Sequence, residues 1–207
     1  WSSDVCSSDL RINETISRLL NFVRPYEPQL SAVVLQELVR DCLDLVQPKA
    51  AEQEISLHLE PPEAGESIHP MSLQLDAAQI KQVLLNLLLN AVDAAPAGSE
   101  VGLRWELRPR LELSDHRRGT TQELPGIVLQ ISDAGNGIPE GDRERIFRPF
   151  YTTKSAGTGL GLSICWKIVT AHGGDIRVER RDERTVFSVL LPQHPDARGR
   201  ELAQESS

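Results

Sequence analysis

Along the stretch from Asp76 to Ala95, apolar residues recur at the spacing of one helix face: Ile80, Val83, Leu84, Leu87, Leu88, Ala91 and Val92, with Leu85 and Leu89 widening the stripe. The pattern predicts a helix whose apolar side lies in a core. Asp76 is placed to cap its start, and Pro96 and Gly98 to stop it. Gln82, Asn86, Asn90 and Asp93 form a second line on the same helix, within roughly 80° of one another at about 100° per residue. Uncharged amides in such a line need partners. An Asn oxygen can complete the shell of a hydrated Mg²⁺ that also holds phosphate oxygens, whereas a carboxylate cage suits Ca²⁺ better. An ordinary solvated helix face is the plainer reading, and residues downstream decide between the two.

The same reading runs along the rest of the chain. Residues 1–10 repeat a small Ser-Ser-Asp unit that continues into no periodic pattern and are expected to be a foreign or disordered leader. Ile12, Ile16, Leu19, Leu20 and Val23 then mark a helix that ends at Arg24-Pro25, with a linker through Glu27-Pro28. A further amphipathic helix is expected from Ala32 to Gln47, burying Leu35, Leu38, Val39, Cys42, Leu43 and Val46 and ending before Pro48. Ile55, Leu57 and Leu59 alternate as a strand, Pro61-Pro62 with Gly65 turns the chain, and Met71, Leu73 and Leu75 alternate again. Two more strands follow, on Val101, Leu103, Trp105 and Leu107 and on Ile127, Leu129 and Ile131, with a polar loop expected between them from Arg108 to Pro125. Ile176 to Glu179 and Val186 to Leu191 close as a hairpin, and the tail from Pro192 is polar. Helices and strands intermix without strict alternation. The expected fold is therefore a two-layer α/β sandwich, one mixed sheet covered by helices on one face.

Composition narrows the function. With 207 residues, 40% hydrophobic and 25% charged, the chain can bury one core with a small appendage. A net charge of −8 argues against nucleic acid as a partner. The local basic group of Arg104, Arg108, Arg110, Arg117 and Arg118 reads as a solvated loop. Cys6, Cys42 and Cys165 are too scattered for a metal or redox motif and are expected to be reduced thiols. No apolar run approaches the roughly 18 residues of a membrane span, and nothing resembles a signal peptide. The fragment is expected in the cytoplasm without membrane contact of its own, even where a parent protein is anchored in the inner membrane.

The chemistry gathers in the second half. Asp133-Ala134-Gly135-Asn136-Gly137-Ile138-Pro139 puts a carboxylate at a strand end, followed by glycines that let backbone approach a flat ligand. By itself such a run is more often a simple turn. Gly157-Thr158-Gly159-Leu160-Gly161-Leu162 leads into a helix carrying Ile164, Ile168 and Val169, and glycines before a helix N-terminus expose N–H groups that suit phosphate. The Lys-Ser/Thr of a P-loop is missing, and no βαβ spacing suits a dinucleotide fold.

In this order, the Asn-x3-Asn helix, the Asp-x-Gly-x-Gly turn, Ile146-Phe147-Arg148-Pro149-Phe150-Tyr151-Thr152-Thr153-Lys154 and the Gly-Thr-Gly-Leu-Gly-Leu run resemble the ATP-binding domain of sensor histidine kinases, nearest the nitrogen-regulation-type branch. The resemblance covers about Ala32 to Pro192. It implies the Bergerat-type fold of GHKL proteins, with ATP and Mg²⁺ as ligands. Residues 11–30 are then the remnant of a dimerisation and phosphoacceptor domain with its linker, residues 31–192 the catalytic domain and residues 193–207 a tail. The implied partners are ATP or ADP, a phosphoacceptor-His domain in a homodimeric parent, and a response regulator of nitrogen-regulation type. Position by position, the resemblance implies Asn90 as the Mg²⁺ ligand with Asn86 as its companion. Asp133 then binds the adenine amino group, Gly135, Gly137 and Ile138 line the base pocket, and Thr185 stands near the base. Thr153, Lys154, Gly157, Thr158, Gly159, Leu160, Gly161 and Leu162 fold over the phosphates, and residues 148–160 make a mobile lid.

Two positions depart from the family pattern. Many members carry Lys or Arg where this chain has Asp93, whose charge would repel phosphate unless it points elsewhere. Other lids supply an Arg near Thr152, so Lys154 is the expected phosphate clamp here, acting in catalysis with Asn86. Gyrase-like and MutL-like ATPases share the nucleotide fold but carry a Glu where this chain has Asn86, and an amide cannot take a proton from water. A nucleotide-sensing module without transfer activity is the remaining alternative. His58, His69, His116, His172 and His194 lack a phosphoacceptor setting, and His172 before Gly173-Gly174 reads as a helix end.

Overall fold

The computed structural model describes residues 27–60, 72–115, 120–154 and 157–194. Its elements are β1 (Ser31–Val34), α1 (Leu35–Glu52), β2 (Ser56–Leu59), β3 (Ser72–Leu75), α2 (Ala77–Ala94), β4 (Glu100–Asp115), β5 (Thr120–Asp133), α3 (Gly161–Ala171), β6 (Asp175–Arg181) and β7 (Arg184–Pro192). Single 3₁₀ turns at Glu140–Asp142 and Arg145–Phe147 lie between β5 and α3. The main sheet has the order β2-β4-β5-β7-β6, with β2 parallel to β4 and the other pairs antiparallel, so the expected mixed sheet is present.

Period-two alternation divides this sheet into two faces. Leu103, Ile127, Leu129, Ile131, Val189 and Leu191 meet α1, α2 and α3 in one core. All seven residues assigned to the apolar face of α2 are 2% exposed or less. Asp76 caps this helix, its carboxylate accepting from Gln79 N–H at 3.1 Å. On the opposite face Arg104 Nε donates to Gln130 and Gln130 donates to Ser188, a polar row across three strands. Cys42 and Cys165 are free and buried, and burial pushes their thiols up to about 11 and about 12, so both are neutral. No described helix is long and apolar enough to cross a membrane.

Three expected elements are corrected. Ala32 does not begin a helix: Ser31–Val34 is a strand paired with β3 in a separate two-stranded sheet, Val33 opposite Leu73. Two adjacent β-branched residues favour that pairing, and α1 starts only at Leu35. Nor does α1 stop before Pro48; it runs to Glu52, because Ala50 is fully buried and Lys49 is bound to Asp93, contacts that offset the lost N–H of Pro48. Finally, most of the Arg108–Pro125 loop is strand. β4 and β5 continue past a register shift between Arg108 and Leu111, where Pro109 sits, into a long hairpin. Leu111, Leu113 and Leu124 there join Val128 and Leu190 in a second apolar cluster. The leader at 1–10, the helix carrying Ile12 to Val23, the Pro61-Pro62-Gly65 turn, Met71, Cys6, His69, His116, Arg117, Arg118 and the tail beyond His194 lie outside the described residues.

Candidate functional site

Strand register sets the first part of the site. Asp133, the last residue of β5, stands opposite Thr185 on β7, and Thr185 stands opposite Arg180 on β6. Asp133 is 3% exposed. Its Oδ1 accepts from Gly135 N–H at 2.8 Å, and the Thr185 hydroxyl hydrogen-bonds the same carboxyl group. Burial raises the Asp133 pKa above the ordinary carboxylate value, against the opposing pull of those two hydrogen bonds and of the Arg180 and Arg184 charges. Gly135 is sterically required: a Cβ would lie 2.7 Å from the carbonyl oxygen of Ala94 and 2.7 Å from Asp133 Oδ1. Gly137 has φ +81°, a conformation that favours glycine. The turn after β5 thus abuts the C-terminal end of α2.

Along α2 the polar line leads to the second part. Asn86 and Asn90 are half-buried. Gly161, the first residue of α3, faces Asn86, since a Cβ there would stand 3.7 Å from Asn86 Oδ1. Leu160, at the N-cap of α3, offers no side-chain hydrogen bond to the first N–H groups, which also lack an intrahelical partner. Leu160 is buried and Leu162 partly buried in the core, which leaves their backbone as the part turned to the site. Thr153 is exposed and Thr158 half-buried. Before α3 the chain pinches together: Phe150 N–H donates to the Gly159 carbonyl at 2.9 Å, with both residues at φ +66°.

Lys154 joins the segment before α3 to α2. Its Nζ lies 2.9 Å from Asp93 Oδ2 and 3.4 Å from Asn90 Oδ1, while Lys49 of α1 binds the other Asp93 oxygen. Burial would raise the Asp93 pKa, but the hydrogen bonds and charges of Lys49 and Lys154 prevail and hold it below the usual carboxylate value. The Asp93 charge, expected to repel phosphate, is thus paired with two ammonium groups. Among the described residues no group of three or more His, Cys, Asp or Glu side chains could hold a metal ion. The remaining donors are amide oxygens, and Asn90 Oδ1 already faces a cationic group, which fits a hard ion held mainly by phosphate and water.

The structure therefore gathers Asn86, Asn90, Lys154 and Gly161 at one end of the site and Asp133, Gly135, Gly137 and Thr185 at the other. Sequence reasoning missed Lys49 and Arg180. Neither carries a motif, and both enter through tertiary neighbours. His172 is a buried helix end as expected; His58 lies on the edge strand β2 and His194 follows β7.

Residues 75–195 match the family of histidine kinase-, DNA gyrase B- and HSP90-like ATPases. The sensor histidine kinase ZraS of Salmonella typhi is 34% identical over 183 residues, which cover 88% of this chain and 35% of that protein. The catalytic domain of histidine kinase ThkA superposes with a TM-score of 0.67 at 30% identity, covering 81% of this chain and 98% of that one. A structure of ThkA in complex with the response regulator protein TrrA gives a TM-score of 0.71 at 27% identity, covering 93% of this chain and 51% of that one. The chain spans about a third of the length of the curated relatives it matches.

Proposed function

Because the chain belongs to the family of histidine kinase-, DNA gyrase B- and HSP90-like ATPases, we propose that it is the ATP-binding catalytic part of a cytoplasmic sensor histidine kinase domain. Its substrate is ATP, its product ADP, and its acceptor a histidine on a dimerisation domain. Relay then runs to an aspartate of a response regulator of nitrogen-regulation type. In this reading residues 11–30 belong to the dimerisation hairpin of a homodimeric parent, and residues 31–192 are the catalytic domain. The likeness to ThkA, solved with a response regulator, supports the partner.

One observation carries the proposal: the buried Asp133 carboxylate, with its glycine turn against the Ala94 end of α2, and the start of α3, facing Asn86 further back on α2, stand along one helix. Asp133 accepts from the exocyclic amino group of adenine, and Gly135 and Gly137 admit the ring. The free N–H groups around Gly161 bind phosphate oxygens. Lys154 leaves Asp93 for the γ-phosphate and offsets charge that develops there. Asn90 Oδ1 would hold a Mg²⁺ that arrives with ATP, and that ion would supply charge neutralisation at the phosphates. A neutral imidazole nitrogen attacks the γ-phosphorus, and the bond to the β–γ bridging oxygen breaks with its electron pair leaving on ADP. A hydrolase is disfavoured because Asn86 cannot serve as base toward water.

Calorimetry tests the base assignment. The wild-type chain should bind Mg-ATP and Mg-ADP in preference to GTP, and Asp133→Asn should weaken adenine nucleotides about tenfold or more, since the amide keeps one acceptor oxygen and adds a donor. Equal affinity of the wild-type chain for ATP and GTP would refute the assignment.

A further inference from the structure

Asp133, Thr185 and Arg180 form one row across β5, β7 and β6, and directly opposed residues of antiparallel strands share a face. The hydrogen bonds within the row run in one direction. Arg180 Nη1 donates to Thr185 Oγ1 at 3.3 Å, which occupies a lone pair and leaves the hydroxyl proton for the Asp133 carboxylate. The same Nη1 donates to the Gly135 carbonyl at 2.6 Å, while Gly135 N–H donates to Asp133. One guanidinium thus holds both groups that hold the carboxylate. It also lies 3.1 Å from where a Cβ on Gly137 would stand, so it backs the turn. The plainer role of a hairpin staple rests on Glu183, whose Oε2 is 3.3 Å from Arg180 Nη2. That partner is 97% exposed, and such pairs contribute little.

We propose that Arg180 is a positioning residue of the nucleotide site: its guanidinium fixes the Gly135–Gly137 turn and the Thr185 hydroxyl so that Asp133 presents an ionised carboxylate to the adenine amino group. The inference rests on the nucleotide reading above and adds to it a residue outside the motifs that suggested that reading. It separates two contributions of Arg180, charge and shape. The groups that bear on Asp133 are Arg180 from β6, Arg184 and Thr185 from β7, and Gly135 from its own turn. Removing the Arg180 charge leaves burial less opposed, so Asp133 takes up its proton at higher pH. Arg180→Lys keeps the charge and loses the longer, planar guanidinium whose Nη1 reaches Gly135 and Thr185 together.

The test is ATP binding by calorimetry from about pH 5 to 8 for wild type, Arg180→Met, Arg180→Lys and Glu183→Ala. Arg180→Met should bind ATP about tenfold more weakly at neutral pH, with the acid loss of affinity moved to higher pH. Arg180→Lys should keep the wild-type acid limb with a several-fold affinity loss, and Glu183→Ala should match wild type. Wild-type affinity and an unmoved acid limb in Arg180→Met overturn the proposal. Where circular dichroism finds Arg180→Met unfolded, Arg180→Lys decides: unchanged ATP affinity overturns the proposal, and a several-fold loss with Glu183→Ala unaffected supports it. A wild-type chain that binds no ATP overturns the nucleotide reading itself, a result distinct from any difference among variants.

Discussion

Asp93 holds two ammonium groups at once, Lys49 from α1 and Lys154 from the segment before α3. That arrangement is compatible with the phosphate site of the proposed function, because the local sum of the three charges is positive. It also sets a competition, since Lys154 is bound to Asp93 where the proposed function requires it at the γ-phosphate. Asp93→Asn should therefore tighten Mg-ATP binding a few-fold by releasing Lys154, and cost less than about 1 kcal/mol of stability, as the carboxylate is 31% exposed. The pH dependence has a definite sign. A carboxyl group whose folded pKa is depressed stabilises above its unfolded pKa and ceases to do so as pH falls through the folded value. The small stability gap between wild type and Asp93→Asn should be present at neutral pH and shrink as pH falls below the ordinary carboxylate range, which thermal melts along an acid series check.

At the scale of elements, α3 is tied to the start of α2 by His172. Its Nε2 accepts from Asp76 N–H at 3.1 Å, so Nδ1 carries the proton and donates to the Ile168 carbonyl at 2.8 Å. The bond from Asp76 N–H requires the neutral ring, whereas the one from Nδ1 to the Ile168 carbonyl persists in either protonation state. Burial depresses the His172 pKa, outweighing the opposing effects of the Ile168 carbonyl and Asp76. The unfolded chain then binds this proton more readily than the folded one, so the clamp contributes fully above the unfolded value near pH 6.5 and loses strength as pH falls through the window beneath it. Denaturant titrations should find wild-type stability dropping between about pH 7.5 and 5.5. His172→Gln, whose amide can donate and accept, should cost about 1–2 kcal/mol at neutral pH and flatten that drop. An equal drop in both proteins would show that another group titrates.

For the whole molecule, the proposed reaction needs a second body. In-line transfer brings an acceptor nitrogen to the γ-phosphate, and among the described histidines His172 has both ring nitrogens engaged and full burial. Supplied with γ-labelled ATP and a separate polypeptide carrying a phosphoacceptor helix, this chain should label that polypeptide with an acid-labile, base-stable phosphate. Asn90→Ala should reduce the rate at least about 100-fold. Label on this chain alone, or undiminished transfer by Asn90→Ala, would contradict the proposal.

Local pattern in the sequence was enough to determine α2 down to its seven buried residues, the alternating strands around Leu103, Leu129 and Val189, the closing hairpin and the two glycine turns. Each depends on interactions within a few residues: side-chain period, capping by Asp76, and backbone freedom at glycine. Tertiary structure alone decided the rest. Ala32–Val34 is a strand because β3 lies beside it, α1 continues past Pro48 because Ala50 is buried and Lys49 meets a carboxylate 44 residues away, and the Arg108–Pro125 segment is strand because Leu111, Leu113 and Leu124 find Val128 and Leu190. The same holds for the site. The motifs identified Asp133, Asn90 and Lys154, but which cations neutralise Asp93, and that Arg180 stands in line with Asp133, follow from helix packing and strand register, which bring together groups whose separation along the chain carries no periodic signal.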